Sequence, residues 1–323
     1  MNSASQNSAT TVVCHSLPEN LPLFDAVATA PAPGSPCRVI PEPAQLTFLE
    51  PVGSHPARKA HRLIQRGDGT AELATAGYGK AKHFRHCSAV VADVDDLFAA
   101  LETHAPHNRF AIRGQVRPDA GPVINRGLKY DGADIVDVPS PVVAVDLDCE
   151  VAPDGIDTGD ILAVGDYLRS RLPGELSGAS CVVQLSGSYG LWQFNPGPVL
   201  LKARLWFVND APLDGQGLQR WFAAMNATGR YAVMDATVAT ANQAIYTAAP
   251  LFSGMTDPVP TRLALLLSGE GVDVASIRPP LAPSPVTYAA GAVGERCPAR
   301  LSLLVQSIRR AADQGLPRHP AIN

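Results

Sequence analysis

One segment of this chain restricts its fold more than any other: residues 141–148, with the sequence PVVAVDLD. An apolar run rich in β-branched valine leads into Asp146 and Asp148 and is typical of a buried strand. Side chains alternate along a strand, so both carboxylates leave the same face. Because close carboxylates repel each other, a divalent cation commonly stabilises such a pair. The segment predicts either an Mg²⁺ or Mn²⁺ site or a strand that ends in a solvated acidic turn.

The composition excludes several classes of protein. No stretch approaches the roughly eighteen apolar residues of a membrane-spanning helix, so no membrane contact is expected. The N-terminus lacks the basic and apolar regions of a secretory signal. The six cysteines include no CxxC pair, which argues against a zinc ribbon or a disulfide framework. We therefore expect the cysteines to be reduced thiols in a cytoplasmic protein.

The charge distribution is uneven, although the net charge is only −4. Residues 55–130 hold twelve lysines and arginines against seven acids. This local excess is compatible with a phosphate-facing surface and equally with an ordinary solvated face.

The order of predicted elements becomes regular from residue 141. Apolar periodicity and breaker residues predict, in order, a strand at 142–148, a helix at 158–171, strands at 180–186 and 202–208, and a helix at 214–227. Further strand-like segments follow up to residue 267. This βαββα order followed by a strand is the split βαβ layout of ferredoxin-like folds, in which one sheet face stays open for a ligand.

The predicted fold class is therefore α+β (α/β), with an RRM-like, ferredoxin-like βαββαβ sheet, an N-terminal α/β unit and a C-terminal helix at 298–313. The N-terminal unit includes a predicted helix at 93–104 and a strand at 108–113. The predicted divisions are a Pro-rich N-terminal segment at 1–56, a catalytic domain at 57–275 and a Pro-rich connector with the C-terminal helix at 276–323. Within the catalytic domain, the N-terminal unit takes 57–140 and the core takes 141–275.

Three further features are expected near the aspartate pair. A serine–glycine turn, SGSYG, covers residues 186–190, and its hydroxyl and N–H groups suit phosphate oxygens. Lys202 and Arg204 alternate on a strand and so share a face, which suits a triphosphate. Asp235 supplies a third acid. Each feature alone has an ordinary explanation as a turn, a solvated strand or a surface acid, but together they describe a nucleotidyl-transfer site.

The same residues carry a family resemblance. The blocks VDLD (145–148), SGSYG (186–190), KARLWF (202–207) and D…Q-IYTAAPLF-G--DPVP-R (235–262) resemble the archaeo-eukaryotic primase superfamily. They are most similar to the primase-polymerase domains at the head of plasmid and phage primase-helicases. By this resemblance Asp146 and Asp148 match the first motif and Asp235 the third. The second motif usually has a histidine that contacts the nucleotide phosphates, and this chain has Arg204 there.

The resemblance implies a DNA primase or polymerase, a nucleotidyltransferase that makes or extends primers in plasmid or phage replication. It implies Mg²⁺ or Mn²⁺ as cofactor, and single-stranded DNA and NTP or dNTP as partners. It also implies a helicase, in the same chain or a separate one, and the final RHPAIN resembles the lead-in to a further helical segment. The catalytic and metal-binding residues would be Asp146, Asp148 and Asp235. The nucleotide-binding residues would be Ser186, Ser188, Tyr189, Lys202, Arg204 and Gln243. Template contacts are proposed for Lys82, Arg85 and Arg113.

Two alternatives remain open. A phosphohydrolase of the haloacid-dehalogenase type also has an hhhhDxD strand end, with the first aspartate as nucleophile. In that family the motif lies near the N-terminus and is followed by small residues, whereas here Cys149 and Glu150 follow it in mid-chain. A non-catalytic module that binds single-stranded nucleic acid would need exposed aromatics on its sheet, and Trp206 is the candidate.

Overall fold

The computed structural model describes residues 43–127, 133–194, 197–268 and 274–280. Most of the predicted N-terminal segment, and the predicted C-terminal helix at 298–313, lie outside these residues. The described part combines helices with mainly antiparallel sheets, so the chain belongs to the α+β class, as predicted.

The described strands are, in chain order, β1 (Ala44–Pro51), β2 (Ala60–Gln65), β3 (Ala71–Ala76), β4 (His83–Val91), β5 (Phe110–Ile112), β6 (Gln115–Val116), β7 (Val123–Asn125), β8 (Ile135–Val136), β9 (Ser140–Val151), β10 (Cys181–Leu185), β11 (Leu200–Leu213), β12 (Leu251–Ser253) and β13 (Leu263–Leu266). The α-helices are α1 (Val94–His104), α2 (Ile161–Ser170), α3 (Gly174–Ser177) and α4 (Gly215–Ala227). Short 3₁₀ helices span Leu191–Phe194 and Ala236–Ala239. None of the helices among the described residues is long and apolar enough to cross a membrane.

The first sheet has the strand order β5-β1-β4-β7, and its strands pair antiparallel. Strand β1 lies inside it and buries Leu46, Phe48 and Leu49. The predicted boundary at residue 56 was therefore wrong, because the folded part already includes residues 44–51. Pro51, one of the prolines of the predicted Pro-rich segment, is itself the last residue of this strand.

The core sheet has the strand order β13-β10-β11-β9 and is fully antiparallel. Strands β9 and β10, which α2 connects, lie on either side of β11, so the predicted split βαβ unit is present. The last strand, β13, pairs with β10, whereas in a ferredoxin-like sheet it would lie beside the first strand. The chain between α4 and β13 contacts other parts of the fold before it returns to this sheet.

Both faces of the core sheet are covered. Strand β10 is buried at all five residues. On one face α2 packs so closely that a Cβ atom on Gly165 would lie 2.4 Å from Val183 Cγ2. On the other face a segment at 245–247 crosses the sheet, and Ile245 makes an antiparallel bridge with Ala111. The face expected to stay open for a ligand is therefore partly closed by the chain itself.

A third sheet, with the order β12-β2-β3, brings distant parts of the sequence together. Strand β2 pairs antiparallel with β3 and parallel with β12. Lys59, just before β2, and His61, on β2, both contact the serine–glycine turn. Strands β6 and β8 form a separate small ribbon.

Candidate nucleotide and metal site

Asp146 projects from β9 directly opposite Arg204 on β11, because the two residues are register partners in the antiparallel pair. The Arg204 Nη2 atom lies 2.8 Å from Asp146 Oδ2, and the side chains are only 13% and 19% exposed. The Arg204 guanidinium therefore already balances the charge of Asp146, at a position that water reaches poorly.

Arg204 is held in this position by several acceptors. Its Nη1 donates to the carbonyl oxygen of Tyr246 at 3.1 Å and to Gln184 Oε1 at 3.4 Å. The same Gln184 oxygen accepts from Trp206 Nε1 at 3.1 Å. Arg204, at the position where the resemblance expects a histidine, is therefore anchored across the sheet instead of extending into solvent.

Asp148 lies on the same face, two residues along β9, and is more exposed than Asp146. Partial desolvation, followed by the negative charge of Asp146, raises the pKa of the Asp148 carboxyl. The positive charges of Lys202, Arg204 and Lys59 act against this rise. The two acids and three cations therefore form one electrostatic cluster, in which the carboxylates repel each other.

Asp235 adjoins this cluster through its backbone. Its N–H donates to the Asp146 carbonyl at 3.2 Å, while its carboxylate accepts from Thr237 N at 2.9 Å and so caps the 3₁₀ helix that follows. In the described ranges, no three His, Cys, Asp or Glu side chains are grouped closely enough to hold a metal ion. The structure thus brings Asp146 and Asp148 together, whereas the Asp235 carboxylate caps a 3₁₀ helix.

The serine–glycine turn begins where β10 ends. Ser186 N donates to the Lys202 carbonyl at 2.9 Å, which fixes the turn against β11. The hydroxyls of Ser186 and Ser188 are 3.5 Å apart, and Lys59 Nζ donates to Ser188 Oγ at 3.3 Å. Gly190 closes the turn with a φ of 87°, and a Cβ there would lie 2.6 Å from Val259. A side chain at Gly190 would therefore be both strained and crowded.

Arg262 binds the backbone carbonyl oxygens of the turn. Its Nη1 donates to the Ser186 carbonyl at 2.7 Å and its Nη2 to the Tyr189 carbonyl at 3.2 Å. Asp257 accepts two hydrogen bonds from the same guanidinium, at 2.7 and 2.6 Å. These contacts use the carbonyl oxygens of the turn and not the serine hydroxyls, of which Ser188 Oγ contacts Lys59.

His61 supports the same turn from β2. It is 1% exposed, its Nε2 lies 2.7 Å from the Gly187 carbonyl, and its Nδ1 lies 2.9 Å from Thr75 Oγ1. A carbonyl oxygen only accepts, so Nε2 carries the proton and donates, and in the neutral ring Nδ1 accepts from the Thr75 hydroxyl. Burial lowers the pKa of His61, which favours this neutral form.

Lys59 and His61 are site residues that sequence reasoning missed. Burial, followed by the nearby charge of Lys202, lowers the pKa of Lys59, while Asp148 and Asp146 act in the opposite direction. Both residues reach the site only because β2 pairs with β12. No local pattern around residues 59–61 indicates that long-range pairing.

The remaining predicted residues have different positions. Arg113 is buried, forms an ion pair with Asp137 and donates to the Leu213 carbonyl, which contradicts its predicted template contact. The Tyr189 side chain is also buried and its hydroxyl donates to the Thr158 carbonyl at 2.9 Å, so it faces away from the cluster. The other predicted residues are exposed: Gln243 lies on a loop, Lys82 lies just before β4, and Arg85 lies within β4.

No family model, curated protein or solved structure matches the chain. A functional interpretation therefore depends on the geometry of this cluster and on the sequence blocks that form it.

Proposed function

We propose that this protein is a DNA primase or polymerase that transfers nucleotides with the help of Mg²⁺ or Mn²⁺. The observation that supports this best is the cluster of Asp146 and Asp148 with Lys59, Lys202 and Arg204. Paired carboxylates suit a divalent cation, and adjacent cations suit a polyphosphate. Few reactions other than phosphoryl or nucleotidyl transfer need both in one place.

The carboxylate pair would hold the metal. A divalent cation bound by Asp146 and Asp148 would offset the repulsion that contributes to the raised pKa of Asp148. For Asp146 to bind the metal ion, Arg204 would have to release this carboxylate or share it with the ion. When bound, the metal would supply activation of an attacking 3′-hydroxyl and charge stabilisation at the leaving pyrophosphate. Asp235 would join only after exchanging its hydrogen bond from Thr237 N.

The turn and the cations would hold the triphosphate. The Ser186 and Ser188 hydroxyls lie beside Lys59, and the Ser186 N–H is tied to the Lys202 backbone. Arg204, once released from Asp146, would add a planar guanidinium that suits phosphate oxygens. The partners would then be NTP or dNTP, a single-stranded DNA template and a helicase in the same or another chain, in a cytoplasmic replication system.

The non-catalytic binding module fits the core sheet less well. Trp206, the aromatic expected to stack on bases, is 1% exposed and is hydrogen-bonded to Gln184. Its ring is therefore part of the core. A pure binding module also has no need for a desolvated aspartate next to a second one.

The proposal is tested by primer synthesis. The protein is incubated with single-stranded DNA, labelled NTP or dNTP, and Mg²⁺ or Mn²⁺, beside an Asp146→Asn, Asp148→Asn double variant. Asp95→Asn, which removes an exposed acid from the first turn of α1, is the matched control. Products from the wild type and the control, and none from the double variant, are expected.

Other outcomes would each point elsewhere. Extension of a supplied primer without synthesis of a new one would assign polymerase rather than primase activity. Absence of product with tight binding of single-stranded DNA would favour the binding module. Release of phosphate from a simple phosphomonoester, lost in the double variant, would favour the phosphohydrolase.

A further inference from the structure

A separate pocket of about 280 Å³ lies beside the first sheet, at the far side of Tyr78 and Tyr246. Its walls combine aromatic rings with cations: Tyr78, Phe84, Phe110, Tyr246, Lys80 and Arg126. This volume is at the small end of ligand pockets, so the pocket suits one planar group and excludes a double helix.

The rings form a continuous wall. Tyr78 and Tyr246 stack face to face with centroids 3.3 Å apart, and Tyr246 lies 5.6 Å from Phe110. Phe110 in turn meets Phe84 edge-on at 5.4 Å. The Arg126 guanidinium lies over Phe110 and Phe84, at 5.3 and 5.7 Å from their centroids. Phe84 and Phe110 are 3% exposed and form the base of this wall, whereas Tyr78 and Tyr246 are only partly buried and are the rings that suit stacking of a nucleobase.

The pocket also adjoins the acid cluster. The stacked pair of Tyr78 and Tyr246 lines both this pocket and a smaller one beside Gly187. The Tyr246 carbonyl accepts from Arg204, which pairs with Asp146. Lys59 Nζ lies 5.8 Å from the Tyr78 ring centroid. A group held in the pocket is thus separated from the carboxylates by this pair of rings and by Arg204.

The approach to the pocket is positively charged. Lys80 lines the pocket and Lys82 follows the lining residue Ala81; both are exposed, and neither forms an ion pair with another residue in the described ranges. Arg85 is also exposed, but it follows the lining residue Phe84 on β4 and so projects from the opposite face of the sheet. No acid occurs between residues 78 and 86 to neutralise them. Free cations at the rim of an aromatic pocket suit a ligand with a planar base and an anionic backbone.

We propose that this pocket receives one unpaired base of a single-stranded DNA, whose phosphates run along Lys80 and Lys82. The inference deepens the proposed function by naming where the template strand is held, and it rests on that function only for the strand's role as template. Binding of the strand requires neither nucleotide nor metal.

The test compares two oligonucleotides by fluorescence anisotropy, without metal or nucleotide. One is oligo-dT, and the other has the same length and phosphates but abasic sugars throughout. The wild type should bind the abasic strand on the order of ten-fold more weakly, since one base stacks on the rings. Tyr78→Leu should remove this difference by weakening only the oligo-dT complex, while Tyr78→Phe, which keeps the ring, should retain it.

Charge variants separate backbone contact from base contact. Lys82→Ala should weaken both oligonucleotides equally and reduce the salt dependence by about one phosphate contact. Arg66→Ala, which removes an exposed cation in the turn between β2 and β3, is the matched control and should leave both affinities unchanged. Circular dichroism melts check that each variant is folded, and 2-aminopurine quenching in wild-type complexes gives a readout of stacking that needs no variant.

Equal binding of both strands by the wild type would overturn the proposal, as would an equal loss for both in a folded Tyr78→Leu variant. Primer synthesis by the wild type is measured in parallel. Base-dependent binding without synthesis would reject the primase function and keep the pocket, whereas synthesis without base-dependent binding would reject the pocket alone.

Discussion

Replacing Arg204 with methionine should destabilise the protein markedly, because it leaves the Asp146 carboxylate without its cation in a place where water reaches it poorly. Removing one partner of a buried ion pair costs about 3–5 kcal/mol. The side chains of this pair keep 13% and 19% exposure, so we expect the lower end, about 3 kcal/mol. The Tyr246 carbonyl would lose a donor as well.

The loss is measured by urea and thermal denaturation at neutral pH. For a chain of this size, about 3 kcal/mol corresponds to a fall in Tm of roughly 6 °C. Arg278→Met is the matched control, because its ion pair with Asp210 has a 63% exposed arginine, and an exposed pair is worth at most about 1 kcal/mol. Addition of Mn²⁺ should restore more stability to Arg204→Met than to the wild type, because the ion no longer competes with Arg204 for Asp146.

A double-mutant cycle tests the reasoning directly. Asp146→Asn combined with Arg204→Met should be less destabilised than Arg204→Met alone, because no unpaired charge remains. The explanation fails if Arg204→Met costs no more than Arg278→Met, or if the two substitutions at the site are simply additive.

Three further outcomes are expected. Because folding raises the pKa of Asp148, this carboxyl binds more protons in the native state than in the unfolded chain from about pH 4 upward, so its contribution to the free energy of unfolding should fall as pH rises through this range. Asp148→Asn should flatten that fall in urea titrations, and an unchanged slope would contradict the assignment. Gly165→Ala should cost about 2 kcal/mol through overlap with Val183, whereas Gly174→Ala, with open space around it, should be neutral or slightly stabilising. An unchanged free energy of unfolding in Gly165→Ala would show that α2 shifts away from Val183 at little cost. Arg262→Lys should lose about 2 kcal/mol, because the planar guanidinium that donates to two turn carbonyls and pairs with Asp257 is lost, and it should raise the KM for nucleotide in the primer assay. A raised KM without loss of stability would mean that Arg262 contacts substrate instead.

Local signals in the sequence predicted the local structure well. The helices predicted at 93–104, 158–171 and 214–227 are present, and each begins after an aspartate, Asp93, Asp160 or Asp214, whose side chain caps it. The valine-rich run before Asp146 forms the predicted strand. Capping and periodicity depend on neighbours in the chain, which is why the sequence alone reveals them.

The features that were missed depend on partners far away in the sequence. Lys59 and His61 reach the turn only through β12, and β13 lies beside β10 instead of β9. Arg113 and Trp206 looked like surface residues from their types, but both are buried, and the acceptors Asp137 and Gln184 pair with them. Which polar residue finds a buried partner is decided by tertiary pairing, and no local pattern in one sequence encodes it.

The parallel pairing of β2 with β12 has a consequence for how the protein is made. His61 and Gly187 are separated by 126 residues, and the strand that aligns them, β12, follows still later, at Leu251–Ser253. On the ribosome, β2 can pair with β3 early, but its pairing with β12 must wait until that strand has emerged, because contacts between distant residues form late and slowly. A truncated chain that ends before residue 250 should therefore keep its aspartate strand and yet lack an assembled site.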